Sequence, residues 1–68
     1  MVHYDNLWHL LVDKNMNKSE LKTKAGISSS TLAKLGKNEA VSLEVLEKIC
    51  IVLDSDLGEI ASFKDDKR

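Results

Sequence analysis

Proline is absent from these 68 residues, and glycine appears only three times. Helices can therefore run without a forced break, and turns must fall at glycines or polar clusters. The lone Cys50 excludes an internal disulfide and a cysteine-based zinc site. Aromatic residues are limited to Tyr4, Trp8 and Phe63. No apolar run approaches the ~20 residues of a membrane span, and the N-terminus lacks a secretory signal pattern. One thiol and no membrane or export signal fit a soluble cytoplasmic protein. Alternating apolar–polar strand patterns are also missing, so the expected fold is all-α. A chain this short buries only about 60% of its unfolded surface. It makes one small domain with little room for a deep substrate pocket.

Net charge is −1, which alone argues against a polyanionic partner. Its distribution argues otherwise. Between Lys14 and Asn38, Lys14, Lys18, Lys22, Lys24, Lys34 and Lys37 stand against Glu20 alone, a local +5. The flanking stretches are acidic. Such an asymmetry orients a molecule, turning its lysine side toward phosphate.

Five helices are legible. Tyr4, Leu7, Trp8 and Leu11 share one face of a first helix from about Tyr4 to Lys14, with Leu10 and Val12 widening the stripe. Asn15-Met16 reads as a loop with Met16 folded back on the core. A second helix begins at Asn17, whose spacing to Glu20 fits a capping box. Leu21 and Ala25 face inward, and Gly26 ends the helix in the left-handed region. Ser28 caps a third helix running to about Lys37, after which Asn38 takes a left-handed position. Ser42 caps a fourth, Leu43 to about Leu53, with Leu46, Ile49, Cys50 and Leu53 inward. Asp56 and Glu59 repeat a cap pattern for a short fifth helix presenting Leu57 and Ile60. Residues 1–63 form the domain, and the charged run 64–68 is expected to be a flexible tail.

The third helix carries the functional signal. At about 100° per residue, Leu32 and Leu35 point to one side. Ser29, Ser30, Ala33, Lys34 and Lys37 form one contiguous face opposite them, small at its start and cationic further on. Small side chains let a helix sit deep in the DNA major groove. Serine hydroxyls donate or accept, so they read bases weakly, and Lys34 can donate to guanine O6 and N7. Amides at the starts of helices two and three can hold phosphate. Lys18, Lys37 and Asn38 flank the face and would clamp the backbone.

The stretch Asn17–Asn38 resembles the helix-turn-helix of the Cro and phage-repressor (Xre-like) family. The run Gly-Ile-Ser-Ser-Ser-Thr-Leu-Ala-Lys-Leu-Gly-Lys-Asn-Glu from Gly26 to Glu39 resembles small stand-alone bacterial members. The resemblance implies a compact five-helix, lambda-repressor-like domain that binds operator DNA, usually as a dimer. By position it places base readers at Ser29, Ser30 and Lys34. It places phosphate contacts at Lys18, Lys37 and Asn38, supported by Ser19, Ser28 and Thr31. The family often has glutamine or arginine where these serines stand, and Lys18 replaces a frequent glutamine.

Other chemistry finds little footing. His3 and His9 do not share a helix face, so no metal site is expected. Cys50 sits among apolar neighbours and reads as a core thiol. The Ser28–Thr31 run has no positioned base or oxyanion site beside it, so no catalytic residue and no cofactor are expected. Val45, Ile51, Val52 and Phe63 exceed what one buried face needs, as ordinary packing or as a self-association surface. The reading is a sequence-specific double-stranded DNA-binding regulator, acting as a homodimeric repressor. The alternative is a protein-interaction module, such as an antitoxin or phage accessory protein, on the same fold.

Overall fold

The structure, a computed structural model, describes residues 1–63. The expected tail at 64–68 lies outside the described residues. The order is β1 (Val2–His3), α1 (Asp5–Asp13), α2 (Lys18–Ala25), α3 (Ser29–Gly36), α4 (Leu43–Leu53), a 3₁₀ turn (Leu57–Glu59) and β2 (Ser62–Phe63).

Local capping sets most of the boundaries. Asn17 Oδ1 accepts from Glu20 N–H at 2.8 Å, and Asn17 N–H donates to Glu20 Oε1 at 3.0 Å. Both orphan donors at the start of α2 are satisfied at once. Gly26 takes φ 67° and ψ 36°, turning the chain out of α2. Space around it is open, so backbone conformation, not crowding, favours glycine there. Ser28 Oγ accepts from Thr31 N–H at 3.1 Å, and Ser42 Oγ accepts from Val45 N–H at 3.2 Å, starting α3 and α4. Asn38 adopts φ 57° after α3, and Asp54 φ 51° after α4.

The core is one cluster. Tyr4, Leu7, Leu11, Leu21, Leu35, Ile49, Leu53 and Ile60 are at most 3% exposed, with Ala25, Ile27 and Leu46 beside them. Trp8, Leu10, Met16, Leu32, Val45, Cys50 and Val52 pack against its edge. Val12 is the exception on α1. It is 77% exposed beside the Asn15–Asn17 loop and does not widen the buried stripe.

Two expectations need correction. Among the described residues there are four α-helices, not five: Asp56 N–H does meet Glu59 Oε1 at 2.8 Å, but only a single 3₁₀ turn follows. So short a segment, with Gly58 in its middle, cannot offset the cost of nucleating an α-helix. The chain is not purely helical either. Directly after this turn β2 pairs antiparallel with β1, Val2 opposite Phe63 and His3 opposite Ser62. Strands of two residues are too short to show alternation.

Tyr4 joins this ribbon to the helices. Its N–H donates to Asn38 Oδ1 at 3.1 Å, and its hydroxyl donates to the Glu39 carbonyl at 2.8 Å. Its carbonyl accepts from Leu7 and Trp8 N–H, starting α1.

Burial raises the Tyr4 phenol above its ordinary pKa, opposed in part by a hydrogen bond with the Val41 backbone. Burial first, then the Asp56, Glu59 and Glu47 carboxylates, raise the Cys50 thiol. Between the ordinary and raised values the native state keeps protons that the unfolded chain has released, so stability falls as pH rises. This stabilisation is whole at neutral pH and is lost above the ordinary thiol and phenol range, about 8.5 to 10. Thermal melts from pH 6 to 11 should show a flat Tm to about pH 8 and a decline above it. A Tyr4→Phe, Cys50→Ala double variant should be less stable but show a shallower alkaline decline. An unchanged decline would refute the assignment.

Candidate nucleic-acid interface

α2, the Gly26 turn and α3 build the surface on which the lysines concentrate. Leu21 and Ala25 of α2, Ile27 of the turn and Leu35 of α3 are all buried, which locks the two helices together. With Leu35 fully buried, the opposite side of α3 faces solvent. Ser29, Ser30, Ala33, Lys34 and Lys37 are all exposed there. Ser19 and Lys18 are exposed on the first turn of α2.

The remaining named residues do more than flank. Lys18 Nζ lies 4.5 Å from the centroid of the Trp8 ring, a cation–π contact that ties the start of α2 to α1. Ser28 is the cap of α3, and its hydroxyl also donates to Thr31 Oγ1 at 3.0 Å. Ser30 Oγ lies 3.0 Å from Ser28 Oγ. Asn38 faces the fold instead of standing free beside α3. Its Oδ1 is taken by Tyr4 N–H, which leaves Nδ2 directed at His3 Nδ1, 3.4 Å away. It anchors the end of α3 to the N-terminal segment.

Lys22 was not singled out from the sequence. Its Nζ donates to Ser29 Oγ at 3.0 Å, across the turn. The two residues are seven apart, and only the helix-to-helix crossing brings them together. No local pattern signals such a pair.

Other chemistry stays dispersed. Among the described residues no three His, Cys, Asp or Glu side chains gather as a metal site. His9 is exposed on α1, while His3 lies against Asn38. Cys50 is half-buried with its thiol held protonated. No helix among the described residues is long and apolar enough to cross a membrane.

Two helices joined by a glycine turn, the second offering a polar, cationic outer face, define a helix-turn-helix DNA-binding domain. The model of the Cro/C1-type HTH DNA-binding domain matches residues 6–66, and the chain belongs to that family. It is 33% identical over 64 residues to the HTH-type transcriptional regulator YozG of Bacillus subtilis (strain 168), covering 91% of this chain and 76% of that protein. It is also similar to the crystal structure of the transcriptional regulator VanUg, with 54% identity and a TM-score of 0.88. That match covers 90% of this chain and 81% of the other. The protein is thus a DNA-binding regulator of the helix-turn-helix class.

The Lys18–Trp8 contact gives the surface a built-in optical reporter. Lys18→Met should alter Trp8 emission and lower stability by about 0.5–1 kcal/mol. Unchanged emission in the folded variant would mean the ammonium does not reside on the ring in solution.

Proposed function

We propose that this protein is a sequence-specific regulator of double-stranded DNA that inserts α3 in the major groove and represses by occupying an operator as a homodimer. The observation that carries this reading is the exposed face formed by Ser29, Ser30, Ala33, Lys34 and Lys37 behind a buried Leu35. Ser29, Ser30 and Lys34 are the base readers. Lys18, Ser19, Ser28, Thr31 and Lys37 line the phosphate side, with amide groups at the starts of α2 and α3 completing it. Asn38 contributes by fixing the end of α3.

The homodimer rests on a second surface. Val45 and Val52 pack on the core, but Ile51 is 73% exposed and Phe63 87%. Phe63, Leu43 and Leu57 also line an open apolar groove of about 440 Å³, together with Val2, Leu46 and Ala61. None of these is a proposed DNA contact, so both surfaces can be occupied together. Two half-sites about 34 Å apart then multiply affinity and specificity. The same groove is the feature that favours the second reading, a protein partner such as a toxin. A different gene product copurifying in fixed ratio would support that reading.

Selection from random duplex DNA should return a defined site. If about four phosphates are neutralised per subunit, log K should fall with log salt at a slope near −3.6 per subunit. A flat salt response, or no enriched sequence, would overturn the proposal. Lys34→Ala should relax base preference at one position at a cost of about 1–3 kcal/mol. Lys37→Ala should weaken all sequences alike and reduce the salt slope by about 1. Each is read from binding curves on matched and single-substituted sites.

A further inference from the structure

A serine hydroxyl has one proton and two lone pairs, so a free serine meets donor and acceptor base edges equally well. Neither proposed serine reader is free. Ser29 Oγ accepts from the Lys22 ammonium at 3.0 Å. With the cation on its oxygen, a second donor meets repulsion, while the hydroxyl proton stays available and is polarised outward.

The state of Ser30 follows from counting the bonds of Ser28. Ser28 Oγ accepts from Thr31 N–H at 3.1 Å and gives its only proton to Thr31 Oγ1 at 3.0 Å. Its contact with Ser30 Oγ at 3.0 Å must then use its second lone pair. Ser30 is therefore the donor, its proton is spent, and its lone pairs remain for a partner.

We infer that Lys22 and Ser28 are specificity-determining positioning residues that set neighbouring serines to opposite hydrogen-bonding polarity: Ser29 as a donor and Ser30 as an acceptor. This rests on the DNA-binding reading of α3. In the major groove guanine offers N7 and O6, thymine O4 and adenine N7 as acceptors, whereas cytosine N4 and adenine N6 are donors. Ser29 thus selects against cytosine, which offers no acceptor there, and Ser30 selects adenine or cytosine.

Site selection on seven backgrounds, the wild type and six variants, tests this. Ser29→Ala and Ser30→Ala mark which operator position each side chain reads, as the position where preference disappears. The wild type should disfavour cytosine at the Ser29 position and prefer adenine or cytosine at the Ser30 position, each by roughly 3- to 10-fold, less than a bidentate contact gives. Lys22→Met should flatten the Ser29 position alone, and Lys22→Arg, which keeps a cationic donor, should restore it. Ser28→Gly keeps an acceptable cap but frees the Ser30 proton, so it should flatten the Ser30 position; Ser28→Asn, with an acceptor in the same place, should restore it. A purely structural role would lower Tm and affinity for every sequence together and leave the position-by-position pattern intact. That result overturns the inference, as would equal polarity at the two positions in the wild type. Enrichment of a defined site by any background shows that the DNA-binding reading stands even when the polarity pattern fails; enrichment by none removes both.

Discussion

The rotation of α3 about its own axis is the constraint on which the rest depends. Leu35 sets it. Its side chain is wholly buried and packs in one cluster with Leu21, Ala25 and Ile27. A helix places successive residues about 100° apart, so a core anchor on one side dictates which side chains emerge on the other. Removing a buried leucine costs about 2–5 kcal/mol. A core of this size rarely supplies more than about 3–5 kcal/mol. The outward face and the folded state are thus held by the same few contacts. They cannot be varied independently at Leu21 or Leu35.

Hydrogen bonds then fix what packing leaves free. The Asn17–Glu20 box and the left-handed Gly26 set where α2 starts and stops. The Ser28 cap sets where α3 starts, and the Tyr4–Asn38 bond holds where it ends. Tyr4 is reached from 34 residues away, so the end of α3 depends on the first turn of the chain. The pairing of β1 with β2 keeps that first turn in place. An ordinary-looking surface helix is therefore pinned at both ends.

What was legible in the sequence was local. Asn17, Gly26, Ser28 and Ser42 act within a few residues of themselves, and the bounds of α2, α3 and α4 follow from them within a residue or so. The outer face of α3 was legible for the same reason, because helical periodicity is local. The departures have a common physical origin. Asp56 and Glu59 make their predicted bond, yet the segment stays one 3₁₀ turn: with Gly58 in its middle it is too short to nucleate a helix, and β2, which pairs with a strand at the opposite end of the chain, follows directly. Asn38 takes its predicted backbone conformation, but its side chain answers to Tyr4. Lys22 meets Ser29 only because two helices cross. Val12 has the right period for burial and nothing packed above it. Each departure turns on a tertiary contact, made or absent, that periodicity does not report.

In the proposed complex, affinity and discrimination fall to different atoms of this surface, and they differ in tolerance. Attraction between a lysine and phosphate falls gently with distance, and salt screens it over about 8 to 10 Å. A hydroxyl bond to a base edge weakens steeply once its angle drops below about 120°. Small shifts of α3 would therefore leave the lysine field almost intact while spoiling the base-edge bonds proposed for Ser29 and Ser30. That asymmetry explains why so much of a small chain is devoted to holding one short helix still. On the proposed reading the local +5 supplies attraction to any duplex. Choosing among duplexes would then require Leu35, Tyr4 and Asn38 to hold the hydroxyls still, and a domain of modest total stability has little room to loosen any of them.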